Sequence, residues 1–110
     1  MKPIAKLGGL EQLILLVILR LGNDAYGVTM QREFASVAGR QISLGAIYTT
    51  LERLEAKGYV SSTIGGATRE RGGRAKRYFA LEAEGLKALQ ASLETLRSLS
   101  RGLEPDVIGI

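Results

Sequence analysis

The chemistry most available to this chain is the binding of a polyanion. Five cations, Arg69, Arg71, Arg74, Lys76 and Arg77, crowd one short stretch. One acid, Glu70, interrupts them, and Gly65, Gly66, Gly72 and Gly73 surround them. The 110 residues include 15 Lys+Arg and 11 Asp+Glu, a net charge of +4. Residues 69–77 carry that whole excess, and the rest of the chain balances. Cations on a glycine-rich tip can follow a phosphate backbone or enter a narrow minor groove. A merely solvated tip would not need to hold all the surplus. A P-loop is excluded, because the Gly-Lys-(Ser/Thr) ending is missing.

Catalysis finds little to work with. There is no Cys and no His. Thiolate chemistry, disulfides and the commonest zinc ligands are therefore absent, and so is the most frequent general base. No cluster of carboxylates replaces them, so an enzyme or a metal-sensing protein is a poor fit and no cofactor is expected. The apolar run Leu13–Leu19 has seven residues, far short of the ~20 needed to span a bilayer. No membrane association is expected. A signal peptide is disfavoured by Glu11 and by the lack of a small-residue cleavage site after Arg20. A cytoplasmic protein is the expectation.

The elements that must position the cationic stretch can be read from periodicity. Leu10–Leu21 is apolar on nearly every face, a helix buried from several sides. "GNDAYG" breaks it, with Asp24 as a candidate N-cap. Tyr26–Val37 reads as a second helix that Gly39 ends. Ser43 caps a third helix, whose Ile47, Leu51 and Leu54 form one core stripe before Gly58 stops it. Tyr59–Ile64 and Arg77–Leu81 alternate and pair as a hairpin, with the cationic stretch at its tip and Phe79 facing inward. A long helix follows from Glu82, with Leu86, Leu89, Leu93 and Leu96 in heptad-like steps. The expected fold is α+β, mostly α with a small β-hairpin: a winged helix-turn-helix with an added C-terminal dimerisation helix. Residues 1–81 make the DNA-binding domain with its wing, 82–104 the dimerisation helix, and 105–110 a loose tail.

On the third helix, Ser43, Gly45, Ala46, Thr49 and Thr50 are small enough to press against base edges and backbone. Its first N–H groups suit a phosphate. Arg53 extends this surface. Tyr26 and Tyr48 could each set a hydroxyl on a phosphate or pack half-buried; the pattern alone leaves both open. Leu10 and Ile14 of the first helix, with Leu86, Leu89, Leu93 and Leu96 of the last, are the expected subunit contact. A two-fold dimer would set two third helices about 34 Å apart on a pseudo-palindromic operator.

These residues resemble a known family. "SLGAIYTTLERLEAKGYV", "GGRAKRYFAL" and "AYGVTMQRE" are similar to the PadR family of winged-helix regulators. Ser43, Gly45, Ile47 and Tyr48 match its recognition-helix motif, Leu51, Leu54 and Gly58 its continuation. Gly73, Arg74, Lys76 and Tyr78 match its wing. Thr49 stands where a Pro is frequent, and Glu82 where a Thr is usual. The resemblance implies a homodimeric transcriptional repressor binding double-stranded DNA, with a small-molecule effector near the dimer interface. The absence of Trp argues against an effector sandwiched between indole rings. The competing expectation is a winged-helix module that binds protein instead of DNA.

Overall fold

The computed structural model describes residues 7–65 and 75–103. Helices α1 (Gly9–Leu21), α2 (Gly27–Ala38) and α3 (Leu44–Ala56) precede a hairpin of β1 (Val60–Ile64) and β2 (Arg77–Leu81). Helix α4 (Ala83–Ser100) completes the order. The hairpin is antiparallel, with Val60 opposite Leu81 and Ile64 opposite Arg77. Beyond it, the Phe79 N–H donates to the Ala25 carbonyl at 2.9 Å. The extended residue before α2 therefore lies along the outer edge of β2 like the stub of a third strand. Among the described residues no single helix is long and apolar enough to cross a membrane.

Local signals set most boundaries. Ser43 caps α3 by accepting the Ala46 N–H at 3.1 Å. Gly39 (φ 63°) and Gly58 (φ 79°) take the left-handed backbone that ends α2 and follows α3. Asp24 does not cap α2. It lies in a 3-10 turn, Gly22–Asp24, and Tyr26 is the N-cap residue. Its N–H donates to the Thr29 hydroxyl, which in turn donates to the Asp24 carbonyl at 2.6 Å. Helix α4 ends at Ser100, so Leu103 lies outside the helix expected to carry it.

The core is one cluster. Ile14 and Leu15 of α1, Met30 and Phe34 of α2, and Ile47, Leu51 and Leu54 of α3 are fully or almost fully buried. Val60 and Phe79 close it from the hairpin, Ala88 and Leu89 from α4. Each such side chain stabilises the fold by about 1.5–3 kcal/mol on burial. This corrects the expected subunit contact. Ile14 is 0% and Leu89 2% exposed, and both belong to the protomer's own core. The first half of α4 serves the domain itself, because Gly85 brings it against the Tyr59 backbone. Leu10 and Leu93 are partly buried against the same cluster. Leu86, Leu96 and Leu99 stay exposed at 40%, 54% and 74%.

Polar ties fasten the layers. Glu11, buried near the start of α1, accepts from the Gly8 N–H and from Lys57 Nζ at 2.8 Å, just past the end of α3. Burial pushes the Glu11 pKa up. The Lys57 and Gly8 hydrogen bonds and the charges of Lys57 and Arg53 outweigh it, and the carboxyl titrates below its ordinary 4.5. Gln31 of α2 donates to the Ile42 carbonyl at 2.9 Å and pins the turn into α3.

Two stability predictions follow from these contacts. A Cβ on residue 85 would overlap the Tyr59 carbonyl, which is backbone and cannot swing aside. Gly85→Ala should cost about 1–3 kcal/mol in urea unfolding; an unchanged midpoint would refute the close approach. A carboxyl with a depressed folded pKa stabilises fully above its unfolded value and loses that contribution as pH falls through the folded one. Stability should therefore drop below pH 4.5, and Glu11→Gln should shrink the drop. Equal acid limbs in wild type and variant would show the pair to be inert.

Candidate nucleic-acid interface

The core stripe of α3 leaves the opposite face outward. Ser43, Gly45, Tyr48, Thr49 and Arg53 are exposed, and Ala46 is half-buried. Gly45 has open space where a side chain would begin. The face is therefore low at its N-terminal end, beside the first N–H groups of the helix. Thr50 does not belong to it. It is 5% exposed, and its hydroxyl donates to the Ala46 carbonyl at 2.8 Å. One turn beyond Ala46 the phase of the helix carries position 50 toward the core, so the expected base contact is replaced by a back-bond.

A second group gathers at the N-terminus of α2. The Tyr26 and Tyr78 rings meet edge to face, with centroids 5.4 Å apart. Lys76 Nζ sits 5.1 Å above the Tyr26 ring. The hydroxyl end of Tyr48 lies against Gly27; a Cβ there would overlap it. Tyr26 is half-buried and Tyr48 exposed, and each ring is held by a packing contact at the rim of the α3 face. The cluster borders the N-terminus of the 12-residue α2, a positive end of a helix dipole.

The cationic stretch divides. Arg69, Arg71 and Arg74 lie outside the described residues. Lys76 joins the aromatic cluster. Arg77, the first residue of β2, is tied to α3. Its guanidinium pairs with Glu55 of α3, donates to the Ser62 hydroxyl at 3.0 Å, and lies 5.0 Å over the Phe79 ring. Ser62 also donates to Glu55 at 2.8 Å. The three side chains tie the tip-ward half of the hairpin to α3.

Sequence periodicity missed Glu52. It is exposed, seven residues after Gly45 and three after Thr49, on the centre line of the outward face. The same 100° stepping that found the core stripe would have found it. Glu55 was also missed, since its partner Arg77 is 22 residues away. A groove of about 250 Å³ opens on the outer face of the hairpin, between Asn23, Ser61, Thr63 and Tyr78. Helix α4 does not line it.

Three helices, a capped turn into the third, and a hairpin locked to that third helix define a winged helix-turn-helix DNA-binding regulator. The chain belongs to the transcriptional regulator PadR-like family, whose model matches residues 14–91. Solved structures agree. A transcriptional regulator from Clostridium thermocellum superposes with a TM-score of 0.71 at 21% identity, over 88% of each chain. A PadR family regulator from Eggerthella lenta gives 0.67 at 26%, over 84% of this chain and 78% of that one. A complex structure of RosR from H. salinarum gives 0.66 at 25%, over 90% and 78%. No curated protein matches.

The two threonines provide a test of the face. Thr50→Val keeps the shape and loses only a back-bond, so DNA affinity should stay within about twofold, while Thr49→Val changes an exposed polar group and should alter preference among duplexes. Fluorescence anisotropy with a bound duplex and a random one distinguishes them. An effect of Thr50 equal to that of Thr49 would contradict the assignment.

Proposed function

We propose that the protein is a homodimeric transcriptional repressor that acts in the cytoplasm, binds a pseudo-palindromic operator, and is released by a small-molecule effector at the dimer interface. The observation that carries the DNA-binding mode is the low outward face of α3, rimmed by Tyr26, Tyr48 and Lys76. In this reading Ser43, Gly45, Ala46 and Thr49 approach the major groove. Arg53, Tyr26, Tyr48 and Lys76 meet phosphates, and Arg69, Arg71 and Arg74 extend the contact along the wing.

Dimerisation is supported by the second half of α4. Its Leu96 and Leu99, exposed among the described residues, follow the buried half of the same helix. Leucines repeated at helical spacing on a bare helix favour a second helix of the same kind. The dimer then sets two α3 helices one DNA turn apart.

A mobility shift with the DNA upstream of its own gene, against random duplex, tests the reading. Specific binding is expected, and no shift at low salt would end it. Lys76→Ala should weaken both duplexes and flatten the dependence of log K on log salt by about 0.9 for one lost phosphate contact. Leu96→Glu with Leu99→Glu should give monomers by sedimentation while the helical circular dichroism stays, and should lower operator affinity by roughly a hundredfold or more, in line with the loss of bivalent binding. A double variant that remains dimeric would place the subunit contact elsewhere.

A further inference from the structure

Glu52 is an odd residue for its place. A surface that meets phosphate gains from cations and loses from each carboxylate. Yet Glu52 stands in the middle of the outward face of α3, flanked along the helix by Tyr48, Thr49 and Ala56. Among the described residues no hydrogen bond or ion pair reaches its carboxylate, although Arg53 is the next residue. The other acids of the helix region are occupied: Glu55 holds Arg77 and Ser62, and Glu11 holds Lys57. Glu52 has no such structural duty, and its position faces what the helix faces.

We infer that Glu52 is a specificity-determining residue, accepting a hydrogen bond from the N4 amino group of a cytosine in the major groove. The inference deepens the reading of α3 as the groove-entering helix and rests on it. An ionised carboxylate only accepts hydrogen bonds. In the major groove the donors are the amino groups of cytosine and adenine. Adenine places its N7 acceptor beside the donor, where it repels a carboxylate; cytosine does not. At guanine and thymine Glu52 meets only acceptors or a methyl group and remains a desolvated charge near phosphates, and at adenine the N7 acceptor offsets the amino donor. The same side chain thus rewards one base pair and penalises the others, which is how discrimination exceeds affinity. Gly45, two turns N-terminal on nearly the same line, and the small Thr49 beside that line leave the room for a five-atom side chain to reach the groove floor.

The test is selection of bound duplexes from a random library by the full chain, with wild type, Glu52→Gln, Glu52→Ala and a control, Glu84→Gln. Glu84 lies exposed on α4 and removes the same charge away from the face. Wild type should enrich a two-fold motif with cytosine at one position per half-site, preferred over other bases by roughly tenfold in Kd. Glu52→Gln should move that one position toward adenine, which pairs with a carboxamide. Glu52→Ala should leave it undetermined, and random duplex should bind both variants more tightly than wild type. Glu84→Gln should keep the cytosine. All four motifs identical would overturn the inference while leaving the α3 reading intact. A wild type that enriches no motif would overturn both. Because residue 52 is exposed, thermal melts of the variants should overlay that of wild type; a variant that melts earlier is replaced in the selection by Glu52→Asp, which should keep cytosine with weaker preference, and loss of cytosine there would also count against the role.

Discussion

One wedge of apolar side chains sets everything else in place: Ile47, Leu51 and Leu54 of α3 driven between α1 and α2. A helix can present a polar face at a fixed angle only if its other face is held without slack. All three wedge residues are fully buried, against Ile14, Leu15, Met30 and Phe34. Removing any of them would leave a void that close-packed neighbours fill only in part. The cost would fall on the orientation of the outward face as much as on stability. The outward face of α3 is in this sense the reverse side of the core.

Electrostatic ties then decide which charges remain available. The chain's acids and bases nearly cancel away from residues 69–77, but the cancellation is not diffuse. Glu11 takes Lys57, Glu33 takes Arg20 at 2.7 Å, and Glu55 takes Arg77. Each pair joins two elements: α1 to the end of α3, α1 to α2, and α3 to the hairpin. The two more exposed pairs, Arg20–Glu33 and Arg77–Glu55, contribute little energy one by one, typically up to about 1 kcal/mol. Their value here is registration, because each fixes one element against the next. Lys76, by contrast, is half-buried and rests over the Tyr26 ring at the rim of the face.

Much of this was legible before any coordinates. The Ser43 cap, the Gly39 and Gly58 stops, the core stripe of α3 and the two strands follow from local chemistry, and the structure repeats them within a residue or so. What depended on partners distant in sequence was less legible. Arg77 looked like part of a cationic run, since its acid lies on another element. Ile14 and Leu89 looked like seam residues, because a heptad pattern does not say whether the second wall belongs to the same chain. Thr50 looked exposed, for a short polar residue at the boundary of a stripe can turn its hydroxyl back into its own helix. Asp24 lost its capping role to backbone geometry at Tyr26, which side-chain preferences alone do not foretell.

The glycine at position 85 makes the long helix and the hairpin mechanically one piece. The first turn of α4 rests directly on the Tyr59 carbonyl, and that carbonyl accepts the Glu82 N–H at 2.9 Å. Tyr59 is also the residue from which β1 springs. No side chain lies between to absorb a displacement. Any tilt of the far leucine-bearing end of α4 is thus levered about this fulcrum straight into the base of the hairpin.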